Sequence, residues 1–370
     1  MDSSIYKKIT DYLLKIISRN AGIPNYKLPS ERMLAATFDT SRKPVRHAYE
    51  QLIERGYVTN VHGSGYYISE DVKVDEMAAH FHKTVKISLV VPSIVSRYSH
   101  AVLSGVNDFC SEKHMEYTIH ISDNSLEKES ELIRALPQSG IMGIILFPSD
   151  NELADRTDII KLIVRKYPFV LVDRQLPNIH TSFVATDDHQ AMVDVVQFLY
   201  QKHYKYPVYA TPSANLASSL EFRMNGYSHG LLKYYKMATP RNLLKLEGSQ
   251  AQQEAIMIEY LNNYPDTDVI IVSGVQRTPV ISALQKTGLP HIRLMIFDDE
   301  LSHAERDSLN PYIIQQDGYR IGYLAAEILY NHIWGDRRPV IRRLPITILD
   351  ADNDVPVSDS QIVSLEKKDN

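Results

Sequence analysis

From Lys86 to Asp350 the chain alternates short apolar runs with amphipathic stretches, a rhythm that limits the fold more than any other feature of the sequence. The runs are "KISLVVP", "YTIHIS", "IMGIILFP", "FVLVD", "SFVATD", "YPVYAT", "LLKLE", "DVIIVS", "RLMIFDD", "YIIQQD" and "LPITILD". Several are continuous Val, Ile and Leu, as parallel strands covered on both faces require. Amphipathic segments at about 99–113, 127–136, 188–203, 217–236, 249–263, 276–287 and 319–334 separate most of them. Repeated strand–helix–strand of this kind implies an α/β fold with parallel sheets. The runs are too many for one five-stranded unit and suit two similar lobes.

The first 69 residues follow another pattern. Ile5, Ile9, Tyr12, Leu13, Ile16 and Ile17 share one helical face, and "AGIP" ends that helix. Ser30, after Pro29, suits the N-cap of a second helix with Met33, Leu34 and Phe38 inward. "DTS" leads into a third, where Val45, Ala48, Tyr49, Leu52 and Ile53 recur at i, i+3, i+4, i+7 and i+8, and Gly56 closes it. "YVTNV" and "GYYIS" then read as two β segments around the Gly-rich "HGSG". Three helices and a hairpin in that order predict a winged helix-turn-helix. The fold class is therefore multidomain: an N-terminal α+β winged helix-turn-helix and a C-terminal two-lobed α/β domain. The expected divisions are 1–69 for the winged domain, 70–85 for a linker, 86–360 for the two-lobed domain and 361–370 for a polar tail. The linker "EDVKVDEMAAHFHKTV" is charged and without sustained period, although 74–82 could form a short helix.

Charge divides the chain at the same place. The whole carries −5. Residues 1–69 hold 10 Lys and Arg against 6 Asp and Glu, whereas the remainder holds 30 against 39. A small basic module on a larger acidic one points to a polyanion partner for the first alone. At 370 residues and 44% apolar, the chain can bury a large core and form two or three domains. No run reaches the length of a membrane span, and "MDSSIYKKITDYLL" lacks the apolar region of a signal peptide. The single Cys110 excludes an internal disulfide and suits a reducing cytoplasm. No Cys/His spacing resembles a zinc site, and no metal or cofactor is expected.

A helix that reads the major groove must expose polar and cationic side chains near its N-terminus. In the third helix the outward positions are Arg42, Lys43, Arg46, His47 and Glu50. Ser41 can cap that helix, whose N-terminal N–H groups also favour a phosphate. Pro44 sits in the first turn, where a missing N–H costs little. Taken by itself, such a face could equally be an ordinary solvated one. The surrounding "LPSERMLAATFDTSRKPVRHAYEQLIERGYVTNVHGSGYYI" resembles the DNA-binding domain of the GntR family over about 40 contiguous residues. The resemblance implies that Arg32 contacts phosphate and groove, that Ser41, Arg42 and Arg46 make recognition-helix contacts, and that His62, Gly63 and Gly65 form the wing tip in the minor groove. Lys43-Pro44 departs from the family's Thr-Thr or Thr-Val, and Lys43 could strengthen phosphate contact.

The C-terminal region lacks "GxSxG", a P-loop and "HExxH". Asp187-Asp188 and Asp298-Asp299 could serve as acid/base or metal pairs. More simply, they end β runs, where short carboxylates cap the next segment, and capping is the preferred reading for Asp187 and Asp188. Vicinal hydroxyls call for Arg and Asp beside an aromatic face, at the carboxyl ends of strands. Tyr98, Asp150, Arg223, Asp298 and Gln316 occupy such places. "LVVPSIVSRYSHAVLSGVNDFC", "GIILFPSD", "FVLVDRQ", "FVATDDHQAM", "SSLEFRMNGY", "IFDDE" and "IIQQDGYRIGYLAAEIL" together resemble the effector domain of the LacI/GalR family, itself similar to periplasmic sugar-binding proteins. By this resemblance Arg223 and Asp298 clamp sugar hydroxyls, with Tyr98, Asp150, Ser219 and Gln316 nearby. Gly274 and Val275 stand where that family usually has Asn-Asp, which removes a usual ligand hydrogen bond and leaves Gln276 or Arg277 as replacements.

A GntR head in place of the LacI/GalR head and hinge helix is similar to the arabinose-utilisation repressors of Gram-positive bacteria. The combination implies a cytoplasmic homodimer that grips a near-palindromic DNA operator and releases it according to a small effector, with no membrane partner. Three rivals differ in class. A head fused to a pyridoxal-phosphate aminotransferase-like domain needs a Schiff-base Lys pattern that the chain does not present. A transport binding protein needs an export signal. A regulator whose second domain senses a partner protein needs no ligand in its cleft.

Overall fold

A computed structural model of the chain describes residues 3–21, 23–70, 72, 85–149, 156–212, 217–236, 239–272, 274–334, 338–350 and 353–356. The expected linker 70–85 and the tail 361–370 fall almost wholly outside these residues, as does Asp150. The structure divides into two units, Met1–Thr84 and Val85–Asn370, each described by itself.

The first unit contains α1 (Ser3–Asn20), α2 (Glu31–Thr37), α3 (Arg42–Glu54) and the hairpin β1 (Val58–Val61) and β2 (Gly65–Ile68). Ile9, Leu13 and Ile17 of α1, Leu34 of α2 and Val45, Tyr49 and Leu52 of α3 close one core, which Val58 and Ile68 cover from the hairpin. The hairpin is antiparallel, with Val61 opposite Gly65. Gly63 and Gly65 take φ of +75° and +115°, backbone that β-carbon-bearing residues rarely adopt, and this fixes the tight turn. Met33, expected inward, is 54% exposed, because the buried face of the two-turn α2 is Leu34 and Ala35. Tyr12 is also partly exposed, edge-on to Phe38 at 5.4 Å.

The second unit has two lobes, each a twisted sheet covered on both faces. Lobe 1 is built from β3 (Lys86–Val91), α4 (Arg97–Glu112), β4 (Glu116–Ile121), α5 (Leu126–Ala135), β5 (Gly143–Leu146), α6 (Thr157–Val164), β6 (Phe169–Val172) and β7 (Ser182–Thr186). Lobe 2 contains α7 (Asp188–Gln201), β8 (Pro207–Pro212), α8 (Ser218–Gly230), β9 (Leu243–Leu246), α9 (Gln250–Asn263), β10 (Val269–Val272), α10 (Arg277–Thr287), β11 (Arg293–Phe297), α11 (His303–Leu309) and β12 (Tyr312–Gln316). Then α12 (Gly318–Ile333) and β13 (Ile341–Leu344) return to lobe 1, and β14 (Ile346–Asp350) and β15 (Asn353–Pro356) finish lobe 2. The strand orders are β13-β7-β6-β5-β3-β4 and β15-β14-β12-β11-β10-β8-β9. All pairs are parallel except β12–β14 and β14–β15.

The run "LPITILD", read as one strand, is divided. Leu344 ends β13 in one sheet and Ile346 begins β14 in the other, with Pro345 between them. Proline offers no N–H to a ladder, so the break falls where the chain changes lobes. The segment 217–236 is α-helical from Ser218 to Gly230 and continues as a π-helical turn over Leu231–Tyr235.

Three crossovers therefore join the lobes, at Thr186–Asp188, Gln316–Gly318 and Leu344–Ile346, and they lie against each other. Asp187 N–H donates to the Leu344 carbonyl at 2.8 Å, and Thr186 Oγ1 donates to Gln316 Oε1 at 2.8 Å. On lobe 1, α12 packs on α4 backbone to backbone: a Cβ on Gly105 would lie 2.0 Å from the Tyr319 carbonyl oxygen, and one on Gly322 2.0 Å from that of Val102.

Candidate functional site

In the first unit, the N-terminus of α3 carries Ser41, Arg42 and Lys43, all exposed, with Arg32 exposed on α2. None of these three cations has a carboxylate within salt-bridge distance among the described residues. Ser41 holds the N-cap position, but its hydroxyl makes no capping hydrogen bond, unlike Ser30 of α2, which accepts from Met33 N–H at 3.3 Å. The Ser41 hydroxyl and the first α3 amides are thus available to an anion. His62, Gly63 and Ser64 are exposed at the wing tip, and Lys27 extends along the wing over the Tyr67 ring at 5.8 Å.

Arg46 stands differently. Its guanidinium makes a two-pronged contact with Glu31, Nε to Oε1 at 3.2 Å and Nη2 to Oε2 at 3.1 Å. Glu31 also accepts from Tyr66 Oη of the wing at 2.7 Å. The Tyr66 ring stacks on Tyr49 of α3 at 3.8 Å, and Tyr49 Oη donates to the Pro29 carbonyl. One carboxylate thus fixes α2, α3 and the wing relative to each other. The Arg46 hydrogen bond chiefly holds the Glu31 carboxyl below its usual range, while burial and the Glu31 bond raise the Tyr66 phenol to about 12. Nothing in "PSER" marks Glu31 in the linear sequence, because its partner Arg46 lies 15 residues away and only packing brings the two together.

In the second unit, the carboxyl ends of strands from both lobes surround a cleft of about 560 Å³. Tyr98, Ser219, Arg223, Asp298 and Gln316 all line it, so five of the six expected positions converge and the sixth, Asp150, is outside the described residues. Arg223 is the centre of its floor. Its Nε donates to Asp188 Oδ1 at 2.6 Å, its Nη2 to Gln316 Oε1 at 3.2 Å, and its Cζ lies 3.9 Å from the centre of the Phe297 ring. The Gln316 amide then donates to Asp298 Oδ2 at 2.8 Å. Gln316 ends β12 at a crossover and also receives Thr186, so the floor is continuous with the connection between lobes.

Burial above all, against the pull of Arg223 and with the nearby Asp173 charge adding to it, raises the Asp188 and Asp298 carboxyls to about 6. Burial, above all, also raises the Tyr98 phenol, which faces Asp173. Desolvated carboxylates and a guanidinium that already satisfy one another can exchange hydrogen bonds with ligand hydroxyls at little electrostatic cost.

Several lining residues were not anticipated. Asp173 and Arg174 follow β6, and Arg174 lies over the Phe147 ring at 4.9 Å. Their signal was present in "FVLVDRQ", which ends a buried strand as the other lining segments do. Asp188 is buried against Arg223, so of the pair read as caps, Asp187 alone caps α7, accepting from Gln190 N–H at 3.2 Å. Gln276 is buried and lines the cleft beside Gly274, whose φ of +59° suits glycine. Arg277 begins α10 and is not part of the lining.

Residues 5–68 match the family model described as bacterial regulatory proteins, gntR family, and residues 87–337 match the model of the periplasmic binding protein domain. The HTH-type transcriptional regulator KdgR of Bacillus subtilis is 24% identical over 271 residues, covering 69% of this chain and 76% of that protein. The arabinose metabolism transcriptional repressor of Geobacillus stearothermophilus is 21% identical over 187 residues, 50% of each chain. Among solved structures, the transcription regulator CcpA of Lactococcus lactis superposes with a TM-score of 0.61 at 21% identity, covering 72% of this chain and 98% of that one.

Proposed function

The chain belongs to the periplasmic binding protein domain family, borne here behind a gntR-family regulatory head, and from that premise we propose that it is a transcriptional repressor whose hold on operator DNA is set by a small sugar-like effector. The observation that carries the effector half is the buried Arg223 platform, which offers donors, acceptors and an aromatic face at the floor of an interlobe cleft. In the head, Arg32, Ser41, Arg42, Lys43 and Arg46 face phosphates and base edges, and His62, Gly63 and Gly65 meet the minor groove.

Two heads on a homodimer grip a near-palindromic site. The effector is bound by Arg223 and Asp298, with Tyr98, Ser219 and Gln316 beside them and Asp173 and Gln276 added; Asp150 remains in the proposed set. Because affinity for effector and for DNA are coupled through one conformational equilibrium, each ligand changes the other's affinity by the same factor. The similarity to an arabinose metabolism repressor supports a pentose-sized ligand.

The test has two stages. Operator sequences selected from a random DNA pool come first, then a thermal-shift screen of pentoses, hexoses and their phosphates, since binding to the folded state raises Tm. A compound that raises Tm and releases the operator is the expected result. If no sugar shifts Tm and a protein partner changes operator binding instead, the effector assignment is overturned while the DNA-binding half stands.

A further inference from the structure

Outside the cleft floor, the two lobes meet again at its rim. Arg97 opens α4 on lobe 1, and residues 299–301 follow β11 on lobe 2. Arg97 Nη1 donates to Asp299 Oδ2 at 3.0 Å, Nη2 to the Leu301 carbonyl at 3.3 Å, and its backbone N–H to Glu300 Oε1 at 2.7 Å. Asp299 is itself steadied within lobe 2 by Arg306 Nη1 at 3.0 Å. A single residue of lobe 1 thus holds three consecutive residues of lobe 2.

The sequence neighbours of this contact give it a purpose. Tyr98, next to Arg97, and Asp298, next to Asp299, line the cleft from opposite walls. Glu300, which the Arg97 backbone N–H holds, lines the cleft too, whereas Arg97 and Asp299 do not, and each of these two is bonded along the backbone to a residue that does. We infer that Arg97 is a positioning residue for the effector: its clasp on the 299–301 turn holds the cleft closed and so sets effector affinity without touching the ligand. The inference rests on reading the cleft as the effector site.

The consequence follows from population arithmetic. A ligand that needs the closed cleft binds with an apparent Kd equal to the intrinsic value divided by the closed fraction. Loss of the clasp lowers that fraction and lets ligand leave sooner. Arg97 is 58% exposed and Asp299 19%, so the ion pair is screened by salt, and effector affinity should carry that salt dependence.

The experiment uses the full chain with spin labels at Glu127→Cys on α5 and Gln285→Cys on α10, both exposed, Cys110 being buried. Without ligand, Arg97→Ala should shift the interlobe distance distribution to longer values. Arg97→Lys, which cannot reach Asp299 and Leu301 together, should fall between the two. Raising salt should open the parent chain and leave Arg97→Ala unmoved. With a sugar identified by the screen, Arg97→Ala should raise Kd by about fivefold, mostly through faster dissociation. An unchanged distance distribution in Arg97→Ala overturns the clasp even if sugar binding is normal. An opened distribution in a chain that binds no sugar keeps the clasp and overturns the effector reading instead.

Discussion

The N-terminus of α3 and the interlobe cleft both depend on arginine, and they treat it in opposite ways. Arg32, Arg42 and Lys43 stand in solvent with no carboxylate in reach among the described residues. Arg223 is buried, with Asp188, Gln316 and Phe297 around it. A surface that meets a polyanion keeps its cations uncommitted, because affinity comes from releasing the phosphates' counterions. A buried cleft must neutralise its own charges before a ligand arrives, or burial would be too costly. Arg46 stands between the two cases, exposed like the first group and paired like the second. Its loss tests which side it belongs to.

The sharpest way to break the contrast is Arg223→Met. Removing the cation leaves Asp188 buried and unpaired, so the effector domain should lose about 3–5 kcal/mol of stability, read by calorimetry of the full chain. A loss too small to measure would mean that the floor is wetter than its geometry indicates. Next is Arg42→Ala, expected to weaken operator binding by about 1–3 kcal/mol and to lower the salt slope, with Tm unchanged. A fall in Tm instead would place Arg42 with the structural arginines.

Glu31→Gln should matter less to stability. Its carboxyl titrates below the ordinary 4.5, so its contribution is present above that pH and disappears as pH falls through the lowered value. The head of the variant should therefore be less stable than the parent at neutral pH and converge with it in acid, as followed by circular dichroism. If Arg46 is a DNA contact first, releasing it should leave operator affinity intact; if its orientation matters, affinity falls with stability.

The smallest effect concerns Asp298→Asn. The Asp298 carboxyl is raised from 3.8 to about 6, so folding takes up protons between those values and its ionisation costs stability as pH rises through 6. The variant should gain most, relative to the parent, above pH 6, and the difference should shrink on acidification. Effector affinity of the parent should move the other way, falling as pH drops through about 6, because protonated Asp188 and Asp298 accept fewer hydroxyl hydrogens. Thermal unfolding of variant and parent across that range checks the first sign, and isothermal titration of the parent with its effector checks the second.

Much of this was legible in the sequence, and the remainder was not for identifiable reasons. Continuous apolar runs such as "GIIL" and "FVLV" are buried at every position, so periodicity sufficed for them. β13, "IRRL", is mostly exposed, and its two arginines hide it from any hydropathy reading. The short α6 and α11 give too few turns for a period to emerge. In the cleft, Arg223, Asp298 and Gln316 could be anticipated at strand ends, but the Asp188–Arg223 pair joins two helices 35 residues apart, and only packing brings them together. Glu31 belongs to the same class of long-range partner.

The crossovers have a consequence for how the protein is made. Lobe 1 begins at Lys86, yet β13, the edge strand beside β7, and α12, whose Ile321, Ala325 and Leu329 fill the lobe 1 core, arrive after residue 317. During synthesis the first lobe must wait, with that core open, until all but β14 and β15 of lobe 2 has emerged. A nascent chain that has emerged from the ribosome only as far as Gln316 should therefore carry a nearly complete second lobe and a first one whose apolar core is still open to solvent.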